Sequence, residues 1–186
     1  MISKFLMLAV VAAPMFAADP LATVFDNDLK GVERDVLGLA GAMPADKYKF
    51  APTNGEFKGV RTFATQAKHI ATILYQVASA ELGEKPPVDI GTTDNGPDSI
   101  QTKDQVLAYL KGAFAYAHKS IATLTVKNQL DGIKSPFENG TIPRISTASM
   151  FTWHTFDHYG QMVVYARMNG VVPPGSQPAP PTAAKR

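Results

Sequence analysis

The chain of 186 residues contains no cysteine. That excludes disulfides, thiolate-bound metal, a cysteine nucleophile and a lipid anchor on cysteine; any metal must be held by nitrogen and oxygen, and any thiol must come from a substrate. Charge of one sign is equally scarce. The 18 basic and 16 acidic residues are spread along the chain for a formal net charge of +2, with no basic stripe to follow a phosphate backbone and no acidic tail. Nucleic acid is not an expected partner. Apolar runs long enough to span a bilayer are missing as well. The nearest, in "MISKFLMLAVVAAPMFAADP", places Lys4 before an apolar stretch from Phe5 to about Ala13, followed by Pro14 and the small residues Ala17 and Ala18. This order is that of a secretory signal. Residues 1–18 are therefore expected to be removed, leaving a periplasmic or secreted bacterial protein without a membrane anchor.

Alternating strand patterns are also lacking, and what the sequence offers is helical periodicity in four segments. Asp19-Pro20 supplies an N-cap and a first-turn proline, Thr53-x-x-Glu56 and Thr102-x-x-Gln105 are capping-box patterns, and Ser146 or Thr147 can cap a last helix. Helices are expected near 20–42, 55–82, 102–130 and 147–169. In the third, Val106, Leu110, Ala113, Ala117, Ile121 and Leu124 fall on one face, flanked by Leu107 and Phe114. The stretches "GEKPPVDIGTTDNGPDS" and "GIKSPFENGTIPR" read as loops, and the first is long for a bundle connection. The fold class is all-α, a four-helix bundle over 19–170 with a long connection between helices two and three. From Val171 the tail to residue 186, "VVPPGSQPAPPTAAKR", is too rich in proline to pack. With 45% apolar residues, the length suits one domain.

Chemistry concentrates in "WHTFDHYGQMVVYARMNGVVPPGS". His154, His158, Gln161 and Tyr165 lie within about 60° around the helix axis, so two imidazoles sit one turn apart, roughly 6 Å along it. Such a pair can close on one cation. The glutamate of zinc proteases is absent, because Thr155 follows His154. A third ligand is needed, and the remaining histidines are His69 and His118. His118 stands at the edge of the third helix's core stripe. His69 lies opposite the apolar stripe of the second helix, where spacing alone suggests exposure; its neighbours Thr62, Gln66, Ile73, Gln76 and Ala80 carry no charge, as a helix lining a groove would show. Phe151, Trp153, Phe156, Met162 and Met168 are expected to be core or helix-contact residues.

A histidine midway along "FATQAKHIATILYQV", with a last helix reading H-x-x-x-H-x-x-Q and then "YARMNGVVPPGS", resembles the DinB family (DinB/YfiT-like) from about residue 20 to 176. That resemblance implies a four-helix bundle and a divalent metal, zinc or nickel foremost, held by His69, His154 and His158. Many members carry a further histidine immediately before the last ligand, where this chain has Asp157. Three neutral ligands leave an open site suited to catalysis. Each ligand also needs a partner for its second ring nitrogen, for which Asp157 and Gln161 are candidates. Asp157 and Tyr165 are the candidate catalytic acid–base groups; Tyr159 lies off the histidine face. The expected function is metal-dependent hydrolysis of a small substrate, with thiol-dependent S-transfer and a non-catalytic metal- or ligand-binding bundle as alternatives. Export weighs against the transferase, since cytosolic thiol cofactors are scarce outside the cytoplasm. A homodimer is a further expectation.

Overall fold

The computed structural model describes residues 19–178, and four long helices make up most of them. The first, α1 (Pro20–Ala42), starts where its cap requires: the Asp19 carboxylate accepts from the Leu21 amide and proline occupies the first turn. Leu29, Val32, Val36 and Leu39 recur at helical spacing and are fully buried. The second, α2 (Phe63–Leu82), begins well after the Thr53-x-x-Glu56 pattern. Gly55 and Gly59 hold φ of 107° and 81°, which no α-helix contains, and the true cap is Thr62, whose hydroxyl accepts from the Thr65 amide. The third, α3 (Lys103–Ile121), opens with the complete Thr102–Gln105 capping box, and its expected stripe is buried. It stops short of residue 130. Thr125 and Asn128 bond each other's backbone amides through their side chains, an alternative that competes with further helix.

A short antiparallel ribbon follows, β1 (Gly132–Lys134) paired with β2 (Thr141–Pro143), where the sequence suggested loop alone. The last helix, α4 (Arg144–Met168), continues directly from β2. Neither Ser146 nor Thr147 caps it. The Thr147 hydroxyl instead donates to the Glu81 carboxylate at 2.8 Å, and Arg144 Nη2 meets the same carboxylate at 2.8 Å, tying the start of α4 to the end of α2.

Both α1 and α2 pack along α3 and α4, so α1 and α2 stand diagonally across the bundle. The buried face of α4 is Phe151, Thr155, His158, Met162 and Tyr165. Trp153, Phe156 and Met168 point outward, contrary to the core or helix-contact role expected of them. The long connection, residues 83–102, turns back over α2. At Gly96, φ is +78°, and a Cβ there would meet Thr72 Oγ1 at 2.9 Å and Lys68 Cβ at 3.2 Å, so only glycine lets the loop lie this close. Lys68 Nζ fastens it by donating to the Pro97 carbonyl at 2.8 Å.

The tail also departs from expectation. Pro173 is buried, and the single 3-10 turn Pro174–Ser176 rests on α1, with Pro174 3.7 Å from where a Gly38 Cβ would stand. The absence of a side chain at Gly38 makes room for it. The proposed signal, residues 1–18, and the end of the tail, residues 179–186, lie outside the described residues. No helix among the described residues is long and apolar enough to cross a membrane.

Candidate metal centre

Two elements carry the three histidines, His69 on α2 and His154 and His158 one turn apart on α4. Their rings converge. Centroids are 4.4 Å apart for His69 and His158, 4.6 Å for His154 and His158, and 5.1 Å for His69 and His154. One donor atom from each lies within 4.8 Å of the others. His69 is buried, not exposed, because its side of α2 is covered by α4 and by the loop of residues 83–102.

The loop also fixes the His69 tautomer. Its Nδ1 is 2.6 Å from the Asp94 carbonyl oxygen, which can only accept, so Nδ1 carries the proton and Nε2 keeps a lone pair. His158 is held in the same manner by a side chain. Its Nδ1 donates to Gln66 Oε1 at 2.8 Å, and Gln66 Nε2 donates in turn to Gln161 Oε1 at 2.7 Å. The Asp94 segment is itself clamped by Arg61, whose Nη2 donates to Asp94 Oδ2 at 2.8 Å and whose Nε donates to Asn95 Oδ1 at 2.7 Å.

Electrostatics keeps the rings neutral. Burial, reinforced by the neighbouring His158, His69 and Arg61, pushes the His154 pKa down to about 3. Burial likewise takes His158 down to about 4, with His69 and Arg61 adding to it and Asp157 and Asp94 opposing. His69 is lowered too, mainly by burial. Imidazoles that resist protonation and present free nitrogens to one point are the donor set a borderline divalent ion takes. The residues present fit a metal ion.

Residues 28–162 match the family model of the DinB superfamily. The chain belongs to the DinB superfamily. Its fold is similar to the crystal structure of a DinB-like protein from Bacillus cereus ATCC 10987, with a TM-score of 0.65 over 82% of this chain and 95% of that one. Identity between the two is 16%, so the likeness is one of fold. No curated protein is significantly similar to the chain.

Within this DinB-superfamily bundle the other candidates separate. His118 belongs elsewhere: its Nδ1 faces Asp26 and its Nε2 faces Glu33, both on α1, which makes it a link between α3 and α1. Asp157 is at the centre, mostly exposed, with Oδ2 3.9 Å from His158 Nε2. Among the described residues it makes no hydrogen bond to His158 or to His154; the supporting contacts come instead from Gln66 to His158 and from the Asp94 carbonyl to His69. Tyr165 is buried in the core, edge-on to Phe50 at 5.9 Å, and no hydrogen bond ties it to the histidines. Its place on the histidine face of the helix is cancelled by two turns of rise.

Gln66, Asp94 and Arg61 are the functional residues that sequence reasoning did not assign. Gln66 had a signal, since it sits one turn before His69 in an uncharged stripe; a backbone carbonyl 25 residues further along has none. Two cavities flank the centre. One of about 330 Å³ includes Ile73, Gln76, Thr93, Asp94 and Phe137 in its wall, and one of about 300 Å³ is walled by Arg61, Gln66, Asn95 and Gln161. Neither is lined by a histidine; they adjoin the centre through Asp94 and through the two glutamines.

Proposed function

We propose that the protein is an exported, divalent-metal-dependent hydrolase of a small substrate. The observation that carries this reading is the convergence of three neutral imidazoles, with no carboxylate in the group among the described residues. Structural metal sites close with four protein ligands, whereas catalytic ones keep three and an open position. When bound, a divalent ion, zinc or nickel foremost, supplies Lewis acidity that polarises the scissile bond and makes water a readier acid.

The remaining work falls to the chain. The Asp94 carbonyl and Gln66 hold His69 and His158 with Nε2 available, so no proton has to leave before the metal is bound. Asp157, whose carboxylate lies on the Nε2 side of His158, takes a proton from the attacking water and returns it to the leaving group. Tyr165, buried against Phe50, has no part in the chemistry. The cavities beside Asp94 and Gln66 give room for a small molecule. Export rests on Lys4, the apolar run and the small residues at 17 and 18, and it favours hydrolysis over thiol transfer.

Metal analysis of the purified protein against His158→Ala tests the centre; the expected result is bound metal in the first and its loss in the second. Turnover is then followed on ester, amide and phosphoester panels, with and without added thiols. Hydrolysis without thiol, lost in Asp157→Asn while metal is retained, is the expected outcome. Turnover only with thiol would make the protein an S-transferase. Retained metal with no turnover on any panel would make it a binding bundle. Amino-terminal sequencing of the exported protein, expected to begin near residue 19, tests the signal.

A further inference from the structure

The outward face of α4 carries an apolar surface that the bundle leaves uncovered: Trp153 is 57% exposed, Phe156 43% and Val164 52%. In their midst stands Gly160, exposed and in the middle of a 25-residue helix. Glycine there costs roughly 1 kcal/mol relative to alanine. Nothing among the described residues requires it, since a Cβ at Gly160 would meet none of their atoms within 4 Å. A glycine at an exposed helix centre, with large apolar residues to either side, suits the close approach of another backbone.

From this arrangement we infer that the protein is a homodimer in which α4 packs antiparallel against α4 of a second copy, with the two-fold axis passing at Gly160. The sequence of the face is what selects a second copy as the occupant. Around position 160 an antiparallel pairing sets Phe156 opposite Val164 of the partner subunit and Trp153 opposite Arg167 of the partner subunit. The first pair is apolar on apolar, and the second lays a guanidinium against an indole. Asp157 lies one turn from Arg167 of the partner subunit, so opposite charges adjoin. A parallel pairing would instead set Asp157 against Asp157 and Arg167 against Arg167. An isologous contact needs one patch to complement itself, and this one does so only in the antiparallel sense. Trp153 also stacks edge-on to His154 at 5.9 Å, so the interface buttresses one wall of the histidine cluster.

The chain offers two clean reporters. Trp153 is the single tryptophan and there is no cysteine. Sedimentation equilibrium is expected to show a dimer, with tryptophan emission shifting to the blue as the dimer forms. Val164→Glu is expected to weaken association roughly 30-fold or more, as truncation of an interface hot spot does. Unchanged helical circular dichroism and unchanged metal content in that variant would show that the fold is intact. Gly160→Cys is expected to form an intersubunit disulfide on mild oxidation, because the two positions face each other across the axis; Asp28→Cys on the exposed side of α1 is not. A monomer at all concentrations overturns the proposal. So does a dimer that survives Val164→Glu and leaves Gly160→Cys uncrosslinked, which places the interface elsewhere. A monomer whose tryptophan emission moves only on adding phosphatidylglycerol vesicles assigns the face to a lipid surface and overturns it equally.

Discussion

Gln66 is the residue whose removal separates orientation from ligation. It touches no metal position, yet it fixes the proton on His158 Nδ1 and is itself held by Gln161. Gln66→Leu keeps the side chain's size and removes both bonds, and metal affinity is expected to fall about 10–100-fold, the usual cost of losing such a support. Competition with a chelator of known affinity measures it; an unchanged affinity would mean that packing alone sets the ring. The histidines also make the metal-free protein sensitive to acid. In the fold His154 and His158 stay neutral down to about 3 and about 4, whereas in the unfolded chain they protonate near about 6.5. The unfolded state therefore binds more protons between those limits, so stability is complete above the unfolded pKa and is lost as pH falls through the window. The urea midpoint of metal-free protein should be lower at about pH 5 than at about pH 7.5, and less so in a His154→Gln, His158→Gln double variant. Equal slopes in the two proteins would show that other groups govern the acid response.

Among the elements, the connection between α2 and α3 does more than join them. It closes the exposed side of α2, supplies the carbonyl that orients His69, and is tied down by Arg61 and Lys68. Gly96 is the point where it comes nearest to α2, in a left-handed conformation with no room for a Cβ. Gly96→Ala is expected to cost about 1–3 kcal/mol of stability, from the strained backbone and the displaced Thr72 and Lys68 contacts. Because the Asp94 carbonyl moves with the loop, metal affinity should fall in the same variant. Chemical denaturation and a metal titration on one preparation check both, and a loss of stability with unaltered affinity would uncouple the loop from the centre.

For the molecule as a whole, the join between the two histidine-bearing helices rests on a buried ion pair. Glu81 on α2 has its side chain 3% exposed, and it accepts from Arg144 and Thr147 at the start of α4. Burial nonetheless holds its pKa above the usual carboxylate range, against the lowering by Thr147 and Arg144. Arg144→Met would strand that carboxylate and is expected to cost about 3–5 kcal/mol, while replacing both partners with apolar residues should cost far less. A double-mutant cycle in urea gives the two numbers. Comparable losses in the single and double variants would show that the pair itself, and not the stranded charge, carries the stability.

The sequence by itself determined the number of helices, the cap and burial of α1 and α3, the pairing of His154 with His158, and, through resemblance, the grouping of His69 with them. Each of these is local, being set by helical period, by capping chemistry within a few residues, or by a motif carried on one helix. Only the tertiary structure decided the start of α2, the ribbon before α4, the burial of His69 and the exposure of Trp153 and Phe156. The start of α2 turned on backbone angles at Gly55 and Gly59 that a capping pattern does not reveal. His69 is buried because a loop from 25 residues away lies across it, and Trp153 is exposed because α4 meets its neighbours along the stripe of Phe151, Thr155 and His158. Helical periodicity gives the faces of a helix but not which of them its neighbours cover, and in a helix with apolar residues on two sides that choice belongs to the packing of the whole bundle.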